Sequence, residues 1–174
     1  MAKMIESART HAQIPFKNAA FTNFSQEENR RAQLAALEQV KSELGQTHPL
    51  IIGGKKITTE ATFASLNPSN PAQVIGYFAS ATVEQANEAV QAAEEAFKSW
   101  KRVPAEERAG YLFDAAELLR QKRFYFNAWM IYEVGKSWAE ADGDTAEAID
   151  FLEFYGREML RLDSDQPLPQ VEGE

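Results

Sequence analysis

The sequence predicts a mainly helical fold with a small antiparallel β unit in its middle. Serine and threonine caps precede long stretches in which apolar residues recur at helical spacing, both before residue 45 and after residue 81. The stretch between them is rich in β-branched residues and is interrupted by turn-forming residues at 53–54 (GG) and 67–71 (NPSNP). With 174 residues, 44% of them hydrophobic, the chain is long enough for one domain with its own core.

The first predicted helix begins at a capping box, in which Ser25 is followed three positions later by Glu28. Gly45 is placed to end this helix. Its predicted inner face consists of Leu34, Leu37, Val40 and Leu44. Residues 1–24 show no such period and are expected to form an extended N-terminal arm. The arm carries three aromatic residues that could lie on the body of the protein: Phe16, Phe21 and Phe24.

The β unit is predicted to start with a hairpin. Residues 50–52 and 56–58 flank Gly53-Gly54, a pair typical of a two-residue hairpin turn. Further strands are expected at residues 62–66 and 74–78, on either side of the turn at residues 67–71.

Two helices are predicted to follow the β unit. Thr82 and Gln85 form a second capping box, and Pro104 suits the first turn of the next helix. The first of these helices carries one apolar stripe whose small residues favour a close neighbour: Ala86, Ala89, Val90, Ala93, Phe97 and Trp100. The second carries Leu112, Ala115, Ala116 and Leu119.

The last predicted helices are an aromatic one over residues 124–134, closed by Gly135, and a long one that follows. Ser137 and Glu140 form a third capping box at the start of the long helix. Its predicted inner face consists of Trp138, Ala141, Thr145, Ala148, Leu152, Tyr155 and Met159. From residue 163 onward the chain turns polar, with prolines, as in a connecting segment.

Composition excludes several classes of function. A net charge of −8 repels nucleic-acid phosphates and anionic lipids, so we expect neither a nucleic acid nor a membrane as partner. No apolar stretch approaches the ~20 residues that span a bilayer. The chain contains no cysteine, so it can form no disulfide and supply no catalytic thiolate. Without a disulfide framework or a signal-like N-terminus, we expect a cytoplasmic protein.

Motifs for metals and nucleotides are weak or missing. His11 and His48 stand apart from other potential ligands, so we expect no metal site. No Gly-x-Gly-x-x-Gly follows a strand, no phosphate-binding P-loop is present, and we therefore predict no cofactor-binding residue in this chain. We expect core packing, in preference to a ring-binding surface, from the aromatic residues at positions 97, 100, 124, 125, 126, 129 and 138.

One cluster of acids has two interpretations. Glu140, Asp144 and Glu147 share one helix face by their spacing, beside Asp142 and Asp150. The structural interpretation is a solvated acidic face. The functional one is that an acid at the far end of the face lines a cleft and binds a cationic group of a substrate.

Several blocks of sequence carry a family resemblance. They are residues 67–76 (NPSNPAQVIG), 81–93 (ATVEQANEAVQAA), 97–100 (FKSW), 104–108 (PAEER) and 133–136 (EVGK). In order and spacing these blocks resemble the opening part of the aldehyde dehydrogenase superfamily. Further blocks are residues 21–24 (FTNF), 48–54 (HPLIIGG), 65–68 (SLNP) and 139–151 (AEADGDTAEAIDF). These resemble the subfamily that acts on glutamate γ-semialdehyde, the 1-pyrroline-5-carboxylate dehydrogenases.

The resemblance implies an α/β family in which this chain is the opening part of the NAD-binding domain. We expect the arm at 1–24, the N-terminal part of the cofactor domain at 25–162, and a polar connecting segment at 163–174. Glu147 matches an acid near the substrate pocket of the subfamily. A carboxylate there is suited to the α-ammonium group of glutamate γ-semialdehyde, so we predict Glu147 as a substrate-binding residue.

Departures from the family limit what this chain does alone. The family's Pro-Trp-Asn segment, Gly-rich turn, general-base Glu and nucleophilic Cys have no counterpart in it. We therefore predict no catalytic residue here, NAD bound only in the full-length family, and an inactive isolated chain. It is either a piece of such an enzyme, including one fused behind a proline dehydrogenase, or a naturally truncated, non-catalytic binding or assembly module. An unrelated helical interaction protein is a third alternative. We expect self-association through exposed apolar helices.

Overall fold

The computed structural model describes His11 and residues 14–164. Residues 1–10, 12–13 and 165–174, which belong to the predicted arm and connecting segment, lie outside the described residues. The helices are α1 (Glu27–Glu43), α2 (Val83–Trp100), α3 (Ala105–Gln121), α4 (Arg123–Val134) and α5 (Trp138–Asp163). The strands are β1 (Gln46–His48), β2 (Leu50–Ile52), β3 (Lys55–Ile57), β4 (Thr62–Asn67) and β5 (Asn70–Ala79). The predicted mainly helical chain with a small β unit is confirmed.

The chain divides into two compact units. The sheet unit comprises Ala20–Arg102 and Lys122–Ala146, so it holds the five described strands, α1, α2, α4 and the first turns of α5. The helical unit comprises the described residues up to Ala19, the segment Val103–Gln121 with α3, and the rest of α5 from Glu147 onward. The predicted division into arm, cofactor-domain part and connecting segment stays a prediction.

The sheet unit contains a three-stranded sheet in the order β1-β5-β4 and a separate β2-β3 hairpin. Gly53 and Gly54 have φ of 54° and 77°, the left-handed conformation that a tight hairpin turn requires. β4 is antiparallel to β5, whereas β1 is parallel to it. The expectation of a purely antiparallel unit is therefore wrong. Gly45 explains the difference, because its N–H donates to the Ile75 carbonyl at 2.8 Å and aligns the next residues with β5.

β5 is also longer than predicted, and the turn before it is shorter. Asn67 pairs with Asn70, so Pro71 lies within the strand instead of in the turn. Leu66 pairs with Val74, and the register shifts on either side of that pair. This irregularity accommodates a proline, which cannot donate to a regular ladder.

The core of the sheet unit lies between α1 and α4. Ala36, Val40 and Ala128 are buried there, and larger residues pack around them: Leu37, Leu44, Phe124, Tyr125, Trp129 and Tyr132. Leu34 is 44% exposed, contrary to the predicted inner face. Gln33 is buried in its place because its amide donates to the Phe124 carbonyl at 3.2 Å.

The start of α1 also differs from the prediction. The helix begins at Glu27, and its capping residue Gln26 makes no side-chain capping bond. Ser25 does not form the predicted capping box, because its N–H and hydroxyl both donate to Asn23 Oδ1, at 3.0 and 2.7 Å. Asn23 thus offers the serine a local partner that competes with capping. The boxes at Thr82 and Ser137 are confirmed.

Helix α2 contains no buried residue. Its predicted stripe exists but is open, with Val90, Phe97 and Trp100 exposed by 59%, 57% and 44%. Core packing is therefore wrong for Phe97 and Trp100, and also for Phe126 of α4, which is 38% exposed. Of the arm's aromatics, Phe24 packs edge-on against Trp138, while Phe21 is exposed.

The core of the helical unit centres on Phe113, which is fully buried together with Ala109 and packs against Met159 and Leu160. The predicted face of α3 contained Ala116 correctly but missed Phe113. A Cβ at Gly156 would lie 2.7 Å from the Phe113 ring, so the absence of a side chain on Gly156 makes room for it.

The predicted inner face of α5 is correct in its first turns and at Met159, which packs against the core around Phe113, but wrong at Tyr155. Ala141 and Thr145 are buried, but Tyr155 is 57% exposed. Farther along, the buried residues are Ile149, Glu153 and Gly156. The predicted set follows a seven-residue repeat, and a straight helix drifts by ~20° per repeat relative to such a set. In the part of the chain that the structure describes, no helix is long and apolar enough to cross a bilayer.

Candidate functional site

The acids of α5 are the candidate site, and in the sheet unit each of them has a defined partner. Glu140 accepts hydrogen bonds from the Ser137 N–H at 3.1 Å and the Ser137 hydroxyl at 2.9 Å. These bonds hold the pKa of the Glu140 carboxyl below its usual range. Asp144 pairs with Lys136, whose side chain is about one third exposed. Both acids thus stabilise the helix start.

Asp142 is the most buried acid of the cluster. Arg123 donates two hydrogen bonds to its carboxylate, from Nε at 2.6 Å and from Nη2 at 2.7 Å. The N–H and the hydroxyl of Thr22 each donate to it at 2.7 Å. Burial raises the pKa of Asp142, but the bonds from Arg123 and Thr22 outweigh that effect, so the pKa lies below its usual range.

The polar network extends from Asp142 along α4. Asn127 is fully buried, and its amide nitrogen donates to Asp142 Oδ1 at 3.1 Å. Its amide oxygen accepts a hydrogen bond from the Thr145 hydroxyl at 2.6 Å. Because Asp142, Asn127 and Thr145 are all buried and hydrogen-bonded, they fix the first turns of α5 relative to α4.

In the helical unit, two further acids of α5 are also engaged. Asp150 accepts hydrogen bonds from Asn18 Nδ2 at 2.8 Å and from the Ala19 N–H at 2.7 Å. Glu153 is buried between Arg120, at 2.6 Å, and Arg157. Burial raises the pKa of Glu153, and the two guanidinium groups lower it further than burial raises it.

Glu147 differs from these acids. It is exposed, and its side chain makes no hydrogen bond or ion pair within the described residues. Phe151, one turn later on the helix, is 49% exposed. An uncommitted carboxylate beside an exposed ring can accept hydrogen bonds from an ammonium group. An open carboxylate is equally consistent with a solvated surface, so the substrate-binding role of Glu147 stays a prediction.

The acidic face is therefore neither simply solvated nor wholly functional. Asp142 and Asp150 bind the chain N-terminal to α1, and Glu140 caps its own helix. The capping role of Glu140 was predicted from its spacing to Ser137. Spacing on one helix could not indicate that Asp142 and Asp150 bind residues 19 and 22, because these lie more than a hundred residues away in sequence. Asp142 lies next to Ala141 and three residues before Thr145, so its place at the edge of the predicted inner face was the available signal for a buried ion pair.

The histidines have packing roles. The ring of His48 stacks on Phe78 at 4.9 Å, and that of His11 stacks on Phe113 at 4.4 Å. Among the described residues, no group of three or more His, Cys, Asp or Glu side chains could hold a metal ion.

The described part of the chain does not form a dinucleotide-binding site. Its parallel strand pairing is limited to three residues of β1 against β5. The strand that precedes α2 is followed by residues 80–82 (SAT), which lack the glycines that let a backbone approach a pyrophosphate. No step of a reaction can be assigned to a cofactor held by this part of the chain.

Comparison with known proteins identifies the family. The sequence profile of the aldehyde dehydrogenase family matches residues 56–174, more than half of the chain. The chain belongs to the aldehyde dehydrogenase family. It is 50% identical, over 160 residues, to the 1-pyrroline-5-carboxylate dehydrogenase of Geobacillus thermodenitrificans, a match that covers 92% of this chain and 31% of that protein.

Solved structures agree with this membership. The crystal structure of 1-pyrroline-5-carboxylate dehydrogenase from Thermus with bound NAD superposes with a TM-score of 0.83 at 44% identity, covering 90% of this chain and 31% of that one. Proline utilization A from Bdellovibrio bacteriovorus gives a TM-score of 0.87 at 38% identity, covering 91% of this chain and 17% of that one. The predicted family and fold are confirmed. The chain spans about a third of the length of the curated relatives it matches.

Proposed function

We propose that this chain is the N-terminal part of an NAD-dependent L-glutamate γ-semialdehyde dehydrogenase, which oxidises the aldehyde to glutamate. The 50% identity to a 1-pyrroline-5-carboxylate dehydrogenase over 92% of the chain carries this proposal. The 174 residues contain no cysteine, so the thiolate that the reaction needs would come from a part of the enzyme that they do not include. NAD would likewise be bound outside them. We place the enzyme in the cytoplasm and expect neither nucleic acid nor membrane as partner.

Within that enzyme we propose Glu147 as a substrate-binding residue. Glutamate γ-semialdehyde carries an ammonium group that a simple aliphatic aldehyde lacks. The other acids of the cluster, at positions 140, 142, 144 and 150, are already occupied by protein donors. Glu147 is the acid of this set whose oxygens stay available among the described residues. Its charge would orient the substrate without taking part in the chemical step.

A chimeric enzyme tests the proposed function. The corresponding N-terminal residues of the Geobacillus enzyme are replaced by this chain, and NADH formation from glutamate γ-semialdehyde is measured. We expect kcat/KM within about tenfold of the parent enzyme, because the replaced part carries no nucleophile. We expect no NADH formation by the isolated chain.

Two results would contradict the proposal. One is a soluble, folded chimera that oxidises propanal but not glutamate γ-semialdehyde. The other is NADH formation by the purified chain alone, in preparations where contaminating dehydrogenases have been excluded. A chimera of the parent sequence with its own segment re-ligated at the same junction is the matched control.

A further inference from the structure

A short segment before α1 runs along α5 in the helical unit. We call residues 14–19 the strap. The Ile14 carbonyl accepts a hydrogen bond from Arg157 Nε at 3.3 Å. The Phe16 ring packs edge-on against Phe154, with 5.6 Å between ring centroids. Asn18 Nδ2 and the Ala19 N–H donate to the carboxylate of Asp150, at 2.8 and 2.7 Å.

The strap covers one stripe of the helix. Its partners at 150, 154 and 157 are spaced at three and four residues, so they lie above one another on one side of α5. As the strap advances from Ile14 to Ala19, its partner moves back from Arg157 to Asp150. Glu147 is the next position of the same stripe, three residues before Asp150.

Glu147 and Asp150 would compete for a cation if both were free. Side chains three apart on a helix are neighbours, with ~5–6 Å between their Cβ atoms. An ammonium group arriving at this end of the stripe would therefore meet two carboxylates. The strap removes this ambiguity, because each oxygen of Asp150 already accepts a hydrogen bond from it.

We propose that the strap directs the ammonium group of an amino-acid aldehyde to Glu147 by occupying Asp150, which makes Asn18 and Asp150 positioning residues of the substrate site. This inference rests on the proposed function. It adds that the segment before α1 belongs to the substrate site, although neither positioning residue touches the aldehyde carbon.

The chimeric enzyme allows a selective test. Asn18→Ala removes one donor to Asp150 and leaves both acids in place. We expect KM for glutamate γ-semialdehyde to rise about three- to tenfold, with kcat within about twofold and KM for propanal unchanged. Asn29→Ala is the matched control, since it removes amide hydrogen bonds to Asn23 and Gln26 in the sheet unit. It should leave all these constants unchanged.

A double variant separates positioning from general disturbance. In a Glu147→Gln background, Asn18→Ala should have no further effect on KM, because its action passes through Glu147. If the effects of Asn18→Ala and Glu147→Gln on KM for glutamate γ-semialdehyde multiply in the double variant, the inference is overturned. If Glu147→Gln is selective for the amino-acid aldehyde but Asn18→Ala is not, the strap inference fails and the proposed substrate contact stands. If Glu147→Gln is not selective, the substrate contact itself fails, and the inference falls with it.

Hydrogen exchange on the 174-residue chain tests the strap without any activity. Asp150→Ala should accelerate exchange of the Ala19 amide at least about tenfold, because that amide loses its acceptor. The Thr22 amide, which donates to Asp142, is the internal control and should be unaffected. Equal exchange of the Ala19 amide in the parent and the variant would mean that the strap contact does not form in solution, which would overturn the inference.

Discussion

Removal of the Asp142 carboxylate should destabilise the sheet unit more than any other single change to the acidic cluster. Asp142 is 1% exposed and accepts two hydrogen bonds from Arg123, whose side chain is 17% exposed. Asp142→Ala leaves the guanidinium with an unpaired, largely desolvated charge. Breaking such a buried pair costs about 3–5 kcal/mol. That is a large part of the ~5–15 kcal/mol by which a typical domain is stable.

Asp144→Ala on the same helix is the matched control. Asp144 pairs with Lys136, but the two side chains are 41% and 31% exposed. An exposed pair contributes about 0–1 kcal/mol. Both variants gain the same helix propensity from alanine, so this effect cancels between them.

Urea denaturation followed by circular dichroism and tryptophan fluorescence measures both free energies of unfolding. We expect Asp142→Ala to lose at least about 2 kcal/mol more than Asp144→Ala. Equal losses below ~1 kcal/mol in the two variants would refute the view that a buried ion pair holds the start of α5.

Three further predictions concern stability and surface. Folding lowers the pKa values of Asp142 and Glu153, so the stability they contribute should be complete above their ordinary pKa values of about 3.9 and 4.3 and should be lost as pH falls through the lowered values. Urea titrations across acidic pH should show this loss, and a free energy of unfolding that does not fall on acidification would contradict it. Gly156→Ala places a Cβ 2.7 Å from the buried Phe113 ring and should lower the free energy of unfolding by about 1–3 kcal/mol, whereas Gly143→Ala, whose Cβ meets nothing within 4 Å, should raise it by about 0.5–1 kcal/mol. Equal thermal midpoints for the two variants would disprove this account of the packing. The open stripe of α2 should bind a hydrophobic dye and promote self-association of the chain, and Val90→Glu combined with Phe97→Glu should reduce both effects, while the control Gln91→Glu should not. A parent chain that stays monomeric at high concentration without binding dye would count against this expectation.

Local signals predicted much of the fold, because they depend on neighbours in sequence. The capping boxes at Thr82 and Ser137 and the hairpin turn at Gly53-Gly54 formed as expected, since each satisfies its backbone groups within a few residues. The box at Ser25 failed for a reason equally local, a competing turn at Asn23.

Tertiary contacts account for what was missed. The parallel pairing of β1 requires a partner about thirty residues later in the chain, which no local pattern specifies. The burial of Gln33 depends on a carbonyl of α4, at Phe124. A polar residue on an apolar face is predicted as exposed unless its partner is known.

Of the candidate site, the helix and its row of acids could be predicted, but the occupation of most of those acids could not. Both donors to Asp150 and the Thr22 donors to Asp142 come from residues 18–22, a stretch without periodicity. The sequence resemblance singled out Glu147, and the structure adds that its neighbours in the acidic cluster have other partners. That Glu147 binds substrate remains a prediction.

The most direct test of that role compares two aldehydes in the chimeric enzyme with and without Glu147→Ala. A charge-assisted hydrogen bond to the substrate's ammonium group is worth on the order of 1.5–3 kcal/mol. We therefore expect kcat/KM for glutamate γ-semialdehyde to fall about ten- to hundredfold, while the value for propanal stays within about twofold. An equally small change for both aldehydes would show that Glu147 is an ordinary surface residue and would contradict the proposed substrate site.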